Sequence, residues 1–251
     1  MAKDILRNVR LFTGGCDLTG QSNKVGWEPE DEEKDVTTFG STDAAGTRIA
    51  KEVMAGLSST KLTAAGFWEA GDTGKVDDAL WAARGGVGAW TIFPVSATEG
   101  DLAYLTQALQ GSYQLGGAVG DVAPWQASMT GSQALARGKS VQAPGTARTA
   151  TGTGTIVDLG AAVPAGKRLH ASLHVLSVAG TSTPTITATV QSAALVGFAG
   201  PTNRIVFSAA TARGSQYAVV DGPITDQFYR LSFTISGTGP SFLIAAAVGI
   251  D

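Results

Sequence analysis

The alternation of residues 168–251 constrains this chain most. In RLHASLHVLSV (168–178), Leu169, Ala171, Leu173 and Val175 fall on one side, and Arg168, His170, Ser172 and His174 on the other. In TPTITATVQS (183–192), Ile186, Ala188 and Val190 oppose Thr185, Thr187 and Thr189. A two-residue period is the repeat of a strand, because successive side chains leave opposite faces of the pleat. NRIVFSA, QYAVV, QFYRLSFTIS and SFLIAAAVGI continue the pattern. Gly180, Gly200-Pro201, Arg213-Gly214-Ser215, Asp221-Gly222-Pro223 and Gly237-Thr238-Gly239-Pro240 punctuate it. Short alternating strands at this spacing predict an antiparallel β-sandwich, jelly-roll-like in kind.

The first part of the chain is mixed. ILRNVRLFTGG (5–15) and KVGWEP (24–29) read as strands, and TKLTAAGFWEAG (60–71) alternates through Leu62, Ala64, Gly66 and Trp68. One helix is marked by Asp72 as N-cap, Asp77 and Asp78 in the first turn, and Arg84 before Gly85-Gly86. Its apolar stripe is Val76, Ala79, Leu80 and Ala83. LAYLTQALQGSYQL (102–115) fits periods of 2 and 3.6. Gly111 and Tyr113 extend the alternation, so a strand is expected. The acidic stretch EEKDVTTFGS (32–41) reads as an extended segment leaving an acidic turn.

GKSVQAPGTARTATGTGT (138–155) has little to bury and separates two halves of different charge. Residues 1–143 carry 12 Lys/Arg and 17 Asp/Glu; residues 144–251 carry 6 and 4. The expected organisation is therefore a first domain over 1–143, a linker over 144–154 and a β-sandwich over 155–251. The linker should be open to proteases, with the first domain self-sufficient. The N-terminal stretch is too polar for a signal peptide. No apolar run approaches the roughly 20 residues of a spanning helix, so no membrane partner is expected.

Catalytic and ligand-binding constellations are sparse. Cys16, the single cysteine, excludes an intrachain disulfide framework and a cysteine-based zinc site. It lies in the turn-like TGGCDLTG and is expected to be structural. His170 and His174 are the only histidines. On a helix an i,i+4 pair suits a metal, but on a strand with no third ligand nearby a solvated outer face is expected. The acidic run Glu28, Glu30, Asp31, Glu32, Glu33 and Asp35 lacks the glycine turn of a calcium loop and is interrupted by Lys34. It reads as a solvated or channel-facing acidic surface. There is no G-x-S-x-G elbow. TATGTGTI lacks the G-K-[ST] of a phosphate loop. No cofactor and no enzymatic turnover are expected. Trp27, Trp68, Trp81, Trp90 and Trp125 all lie in the first half, where cores or subunit interfaces are the expected settings.

The order EKDVTTFGS, AGLSSTKLTAAGFWEAGD, KVDDALWAA and LAYLTQALQGSYQLGGAVGDVAPWQASMTGSQALARG resembles the major tail tube proteins of long-tailed phages. The resemblance covers residues 3–140, and the second half resembles the β-sandwich decorations of tail proteins. It implies a tail-tube-type β-sandwich or barrel with one helix, assembling into stacked, six-fold rings. The implied partners are further copies of the chain, a tape measure protein, a tail terminator and genome DNA passing without sequence-specific binding. The implied place is the virion tail, after synthesis in the host bacterial cytoplasm. Glu28, Glu30, Asp31, Glu32, Glu33, Asp77 and Asp78 are then candidates to face the channel. Residues 42–54 become a loop reaching the next subunit, with Thr42, Asp43, Arg48, Lys51 and Glu52 as contact candidates. The alternative is a virion-surface or capsid-decoration protein whose sandwich binds a cell-surface glycan.

Overall fold

A computed structural model describes residues 6–42 and 45–251. The first half contains β1 (Arg10–Thr13), β2 (Cys16–Asp17), β3 (Ser22–Asp35), β4 (Val53–Phe67), α1 (Val76–Ala83), β5 (Val87–Phe93), β6 (Leu102–Leu115), β7 (Pro124–Gly131) and β8 (Ala136–Gln142). The second contains β9 (Gly152–Thr153), β10 (Val157–Asp158), β11 (Arg168–Ala193), β12 (Thr202–Val206), β13 (Gly214–Asp221) and β14 (Phe228–Ile250). The protein is mainly β, with one helix among the described residues, and its strands form a single antiparallel sheet that is not closed into a barrel.

The second half is built from two long strands rather than the several short ones its turn signals suggest. β11 and β14 pair along almost their whole length, from Leu169↔Ile250 to Ala193↔Phe228. Halfway, irregularities between Val175 and Thr185 bend the ladder. Gly180 and Gly237 sit there at φ +122° and +108°, conformations that glycine adopts without a Cβ penalty. The two arms of the bent ladder enclose one core. Leu169, Leu173, Phe242 and Ile244 come from one arm, and Ile186, Val190, Leu231 and Phe233 from the other. β13 extends the first layer; β9, β10 and β12 extend the second. The alternation was read correctly, but the glycines mark a corner within continuous strands.

The first half has its own core. Leu62 and Ala64 of β4, Trp90 of β5, Ala108 of β6 and Trp125 and Met129 of β7 pack with Val76 and Leu80 of α1. LAYLTQALQGSYQL is the strand β6, as its extended alternation predicts. The helix starts at Val76, with Lys75 in the N-cap position and no side-chain cap. Asp72 instead closes the preceding turn, its Oδ1 accepting from Thr73 Oγ1 and the Gly74 amide.

A third cluster joins the halves. Phe12, Phe93, Ala103, Leu105 and Ala136 of the first pack with Leu176, Ala245 and Ala247 of the second. The backbones also join, because β8 pairs with β14 from Ile250↔Arg137 to Ala246↔Gln142. Gly138 faces Gly249 in this seam, and a Cβ on Gly138 would lie 1.9 Å from the Val248 carbonyl oxygen. Residues 144–154 are held too. Arg148 exchanges backbone bonds with Phe242, and β9 pairs with β14. At the far end Arg213 donates to Thr73 Oγ1 at 3.2 Å.

This packing corrects the reading of the histidines. Both are fully buried, because β11 is covered on both faces where it crosses the first half. Thr91 Oγ1 of β5 donates to Ser172 Oγ at 2.7 Å and lies 2.9 Å from His174 Nε2. Thr91 has one proton and gives it to Ser172, so His174 donates from Nε2. Among the described residues its Nδ1 is buried without a partner. His170 Nδ1 meets the Tyr217 hydroxyl at 2.7 Å, and its Nε2 lies 3.4 Å from Asp251 Oδ2. Burial holds His174 neutral, with its pKa pushed down to about 3, and also lowers His170 against the pull of Asp251.

Two outcomes follow from the seam and its histidines. Gly138→Ala should lower stability by about 2 kcal/mol or more, since backbone must shift to admit the methyl, and should shift a single melting transition rather than one of two. Stability should also fall as pH drops from 6.5 towards 3. In that window the unfolded chain takes up a proton that buried His174 refuses, a slope of about 1.4 kcal/mol per pH unit per histidine. Urea unfolding at stepped pH measures it, and His174→Gln should flatten the slope.

Candidate assembly surface

β3 and β4 form a hairpin whose register runs from Ser22↔Gly66 to Asp35↔Val53. Near its base one face belongs to the core, through Leu62 and Ala64. Beyond Thr60 the hairpin has no body beneath it. Every residue from Glu28 to Val36 and from Val53 to Ser59 is exposed. The projecting strand from Glu28 to Asp35 spans about 23 Å at the strand rise. A two-stranded ribbon alone is marginally stable in water, and this one has no third strand along its projecting part among the described residues.

Chemistry divides along the arm. β3 carries carboxylates on both faces, with Glu28, Glu30 and Glu32 alternating with Asp31, Glu33 and Asp35. Its outer edge is unpaired, since β3 bonds only to β4. Charges and Pro29 on an open edge suppress indiscriminate strand pairing. The arm and its end loop also expose apolar side chains among their charges. Phe39 is 96% exposed and Leu57 80%, with Met54, Val53 and Ile49 also exposed.

The expected strand over EKDVTTFGS ends at Asp35, and residues 36–41 form a loop. Asp35 Oδ1 accepts the Thr37 amide at 2.9 Å, and the Ser41 amide donates to the Thr38 carbonyl. These local bonds turn the chain out of the ladder. Thr42 bridges to Ile49, and the Glu52 amide donates to Thr37 Oγ1. Arg48, Lys51 and Glu52 are exposed on this loop, while Asp43 lies outside the described residues.

The structure separates the acidic candidates into two groups. Glu28, Glu30, Asp31, Glu32 and Glu33 lie together on the arm; among them Glu32 pairs with Lys34. Asp77 and Asp78 sit on α1 and serve the fold. Asp77 accepts the Tyr113 hydroxyl at 2.7 Å, and Asp78 accepts the amides of Gly71 and Asp72 at 2.9 and 3.2 Å. Burial and then this acceptor raise the Tyr113 pKa.

One polar face was not legible as such in the sequence. On the side of β3, β4, β7 and β6 away from the core, cross-strand rows run Glu28–Lys61–Thr130, Gly26–Thr63–Ser128–Ser112 and Lys24–Ala65–Gln126–Gln114. Ser112 and Ser128 share a hydrogen bond of 2.7 Å. Each strand alone shows alternation, but only the register shows that the polar sides align.

The tryptophans divide. Trp90 and Trp125 are buried, whereas Trp81 is 60% exposed beneath the Arg84 guanidinium and Trp68 is 41% exposed. Cys16 is on the short strand β2, buried, its thiol donating to the Thr73 carbonyl. Burial raises its pKa. Among the described residues no group of three or more His, Cys, Asp or Glu is placed to hold a metal ion.

No protein-family model matches this chain, and no curated protein matches it. Solved structures similar to this chain include components of tails and of an injection system. The tail of an empty gene transfer agent particle, refined with C6 symmetry, is 19% identical over 51% of this chain and 92% of that one, with a TM-score of 0.38. The sheath–tube complex of an extracellular contractile injection system is 14% identical over 53% and 88%, with a TM-score of 0.40. The Dit hub protein of phage SPP1 is 11% identical over 98% and 100%, with a TM-score of 0.33.

The division among the carboxylates has a measurable outcome. Asp78→Ala should lower stability by about 1 kcal/mol, because two amides lose their acceptor. The pair Glu30→Lys and Glu33→Lys should change stability by less than about 0.5 kcal/mol, since both are exposed. Thermal melts of the two variants make the comparison.

Proposed function

We propose that this chain is a structural subunit of a phage tail tube. Its copies assemble into stacked, six-fold-related rings whose channel passes the genome. The observation that carries this reading is the β3–β4 arm, exposed on both faces and acidic along its length, with apolar side chains exposed among its charges. An isolated subunit has no use for such a projection, and an assembly has. The first half makes the tube and the second half decorates it. The loop with Thr42, Asp43, Arg48, Lys51 and Glu52 lies against a neighbouring subunit. Tape measure and terminator proteins are the further partners, and the mature setting is the virion tail.

In this reading the polar face of β3, β4, β7 and β6 lines the channel. Glu28, Glu30 and Glu32 extend it with negative charge. DNA carries about one negative charge per 1.7 Å of axis, so a basic lining would hold it and an acidic one lets it slide. Asp77 and Asp78 contribute to that field while holding α1. The mechanism is assembly and electrostatic repulsion, without turnover. The glycan-binding alternative draws no support from the second half. Its aromatic rings are buried or half-buried, including Phe198, Phe207, Tyr229, Phe233 and Phe242, so no exposed ring platform is presented.

The test replaces Glu28, Glu30 and Glu32 with lysine. Tubes should still form under negative stain, and particles carrying the variant should eject DNA more slowly at low salt and recover at high salt. Normal tubes with unchanged ejection at every salt concentration would move these residues to the outer surface. Purified wild-type protein that never forms rings or tubes would refute the proposal itself.

A further inference from the structure

We draw no further inference here: the strongest candidate, the exposed apolar rim formed by Phe67 and Trp68 at the end of β4 with Leu115, Val119 and Val122 at the turn from β6 into β7, carries nothing because nothing in the structure shows what covers it.

Discussion

Everything else in this molecule depends on the packing of the β11–β14 ladder across β1, β5 and β6. The face of that ladder turned to the first half carries His170, Ser172, His174, Leu176, Ala245 and Ala247. Small residues let the layers approach closely, and glycines let backbones meet at Gly138 and Gly249. Gly15 makes a second close approach, where an added Cβ would sit 2.3 Å from the Gly214 nitrogen. Hydroxyl and imidazole groups inside this contact are satisfied by one another, apart from His174 Nδ1 and His170 Nε2. A polar ladder of this kind specifies one alignment of the layers, because a shifted alignment leaves buried groups unpaired. The halves keep separate cores and share a third, so the charge break near residue 143 coincides with a change of layer.

The sequence exposed periodicity well. The strand nature of residues 102–115 and 168–192, the single helix, and the core positions Leu62, Ala64, Val76 and Leu80 were all readable, because each depends on a local repeat. What failed depends on distant neighbours. His170 and His174 alternate as an outer face should, and nothing local reveals the second layer that covers them. Gly180 and Gly237 look like strand ends, yet they bend strands whose pairing runs through the corner. Among the candidate surface residues, the acidic run was visible as composition. Asp77 and Asp78 joined it only by charge, while their hydrogen bonds to Tyr113, Gly71 and Asp72 assign them to the fold.

The arm illustrates how an open sheet manages its edge. An unpaired strand is a template for any other strand, and β3 answers with six carboxylates, one lysine and a proline over Glu28–Asp35. The same stretch leaves apolar side chains exposed, Leu57 along the arm and Phe39 at its end.

The long-range pairing of β14 sets an order on synthesis. The first half's strands are complete once β8 has left the ribosome, yet Phe12, Phe93 and Leu105 lack their cover until Ala245 and Ala247 arrive. At common translation rates the intervening hundred or so residues take roughly 5 to 20 s. During that interval the nascent chain presents an apolar sheet face and the open edge of β8 to its surroundings. Contacts so distant in sequence form slowly in any case. The chain is therefore most vulnerable before it is finished, when neighbouring nascent chains on one message hold the same uncovered face.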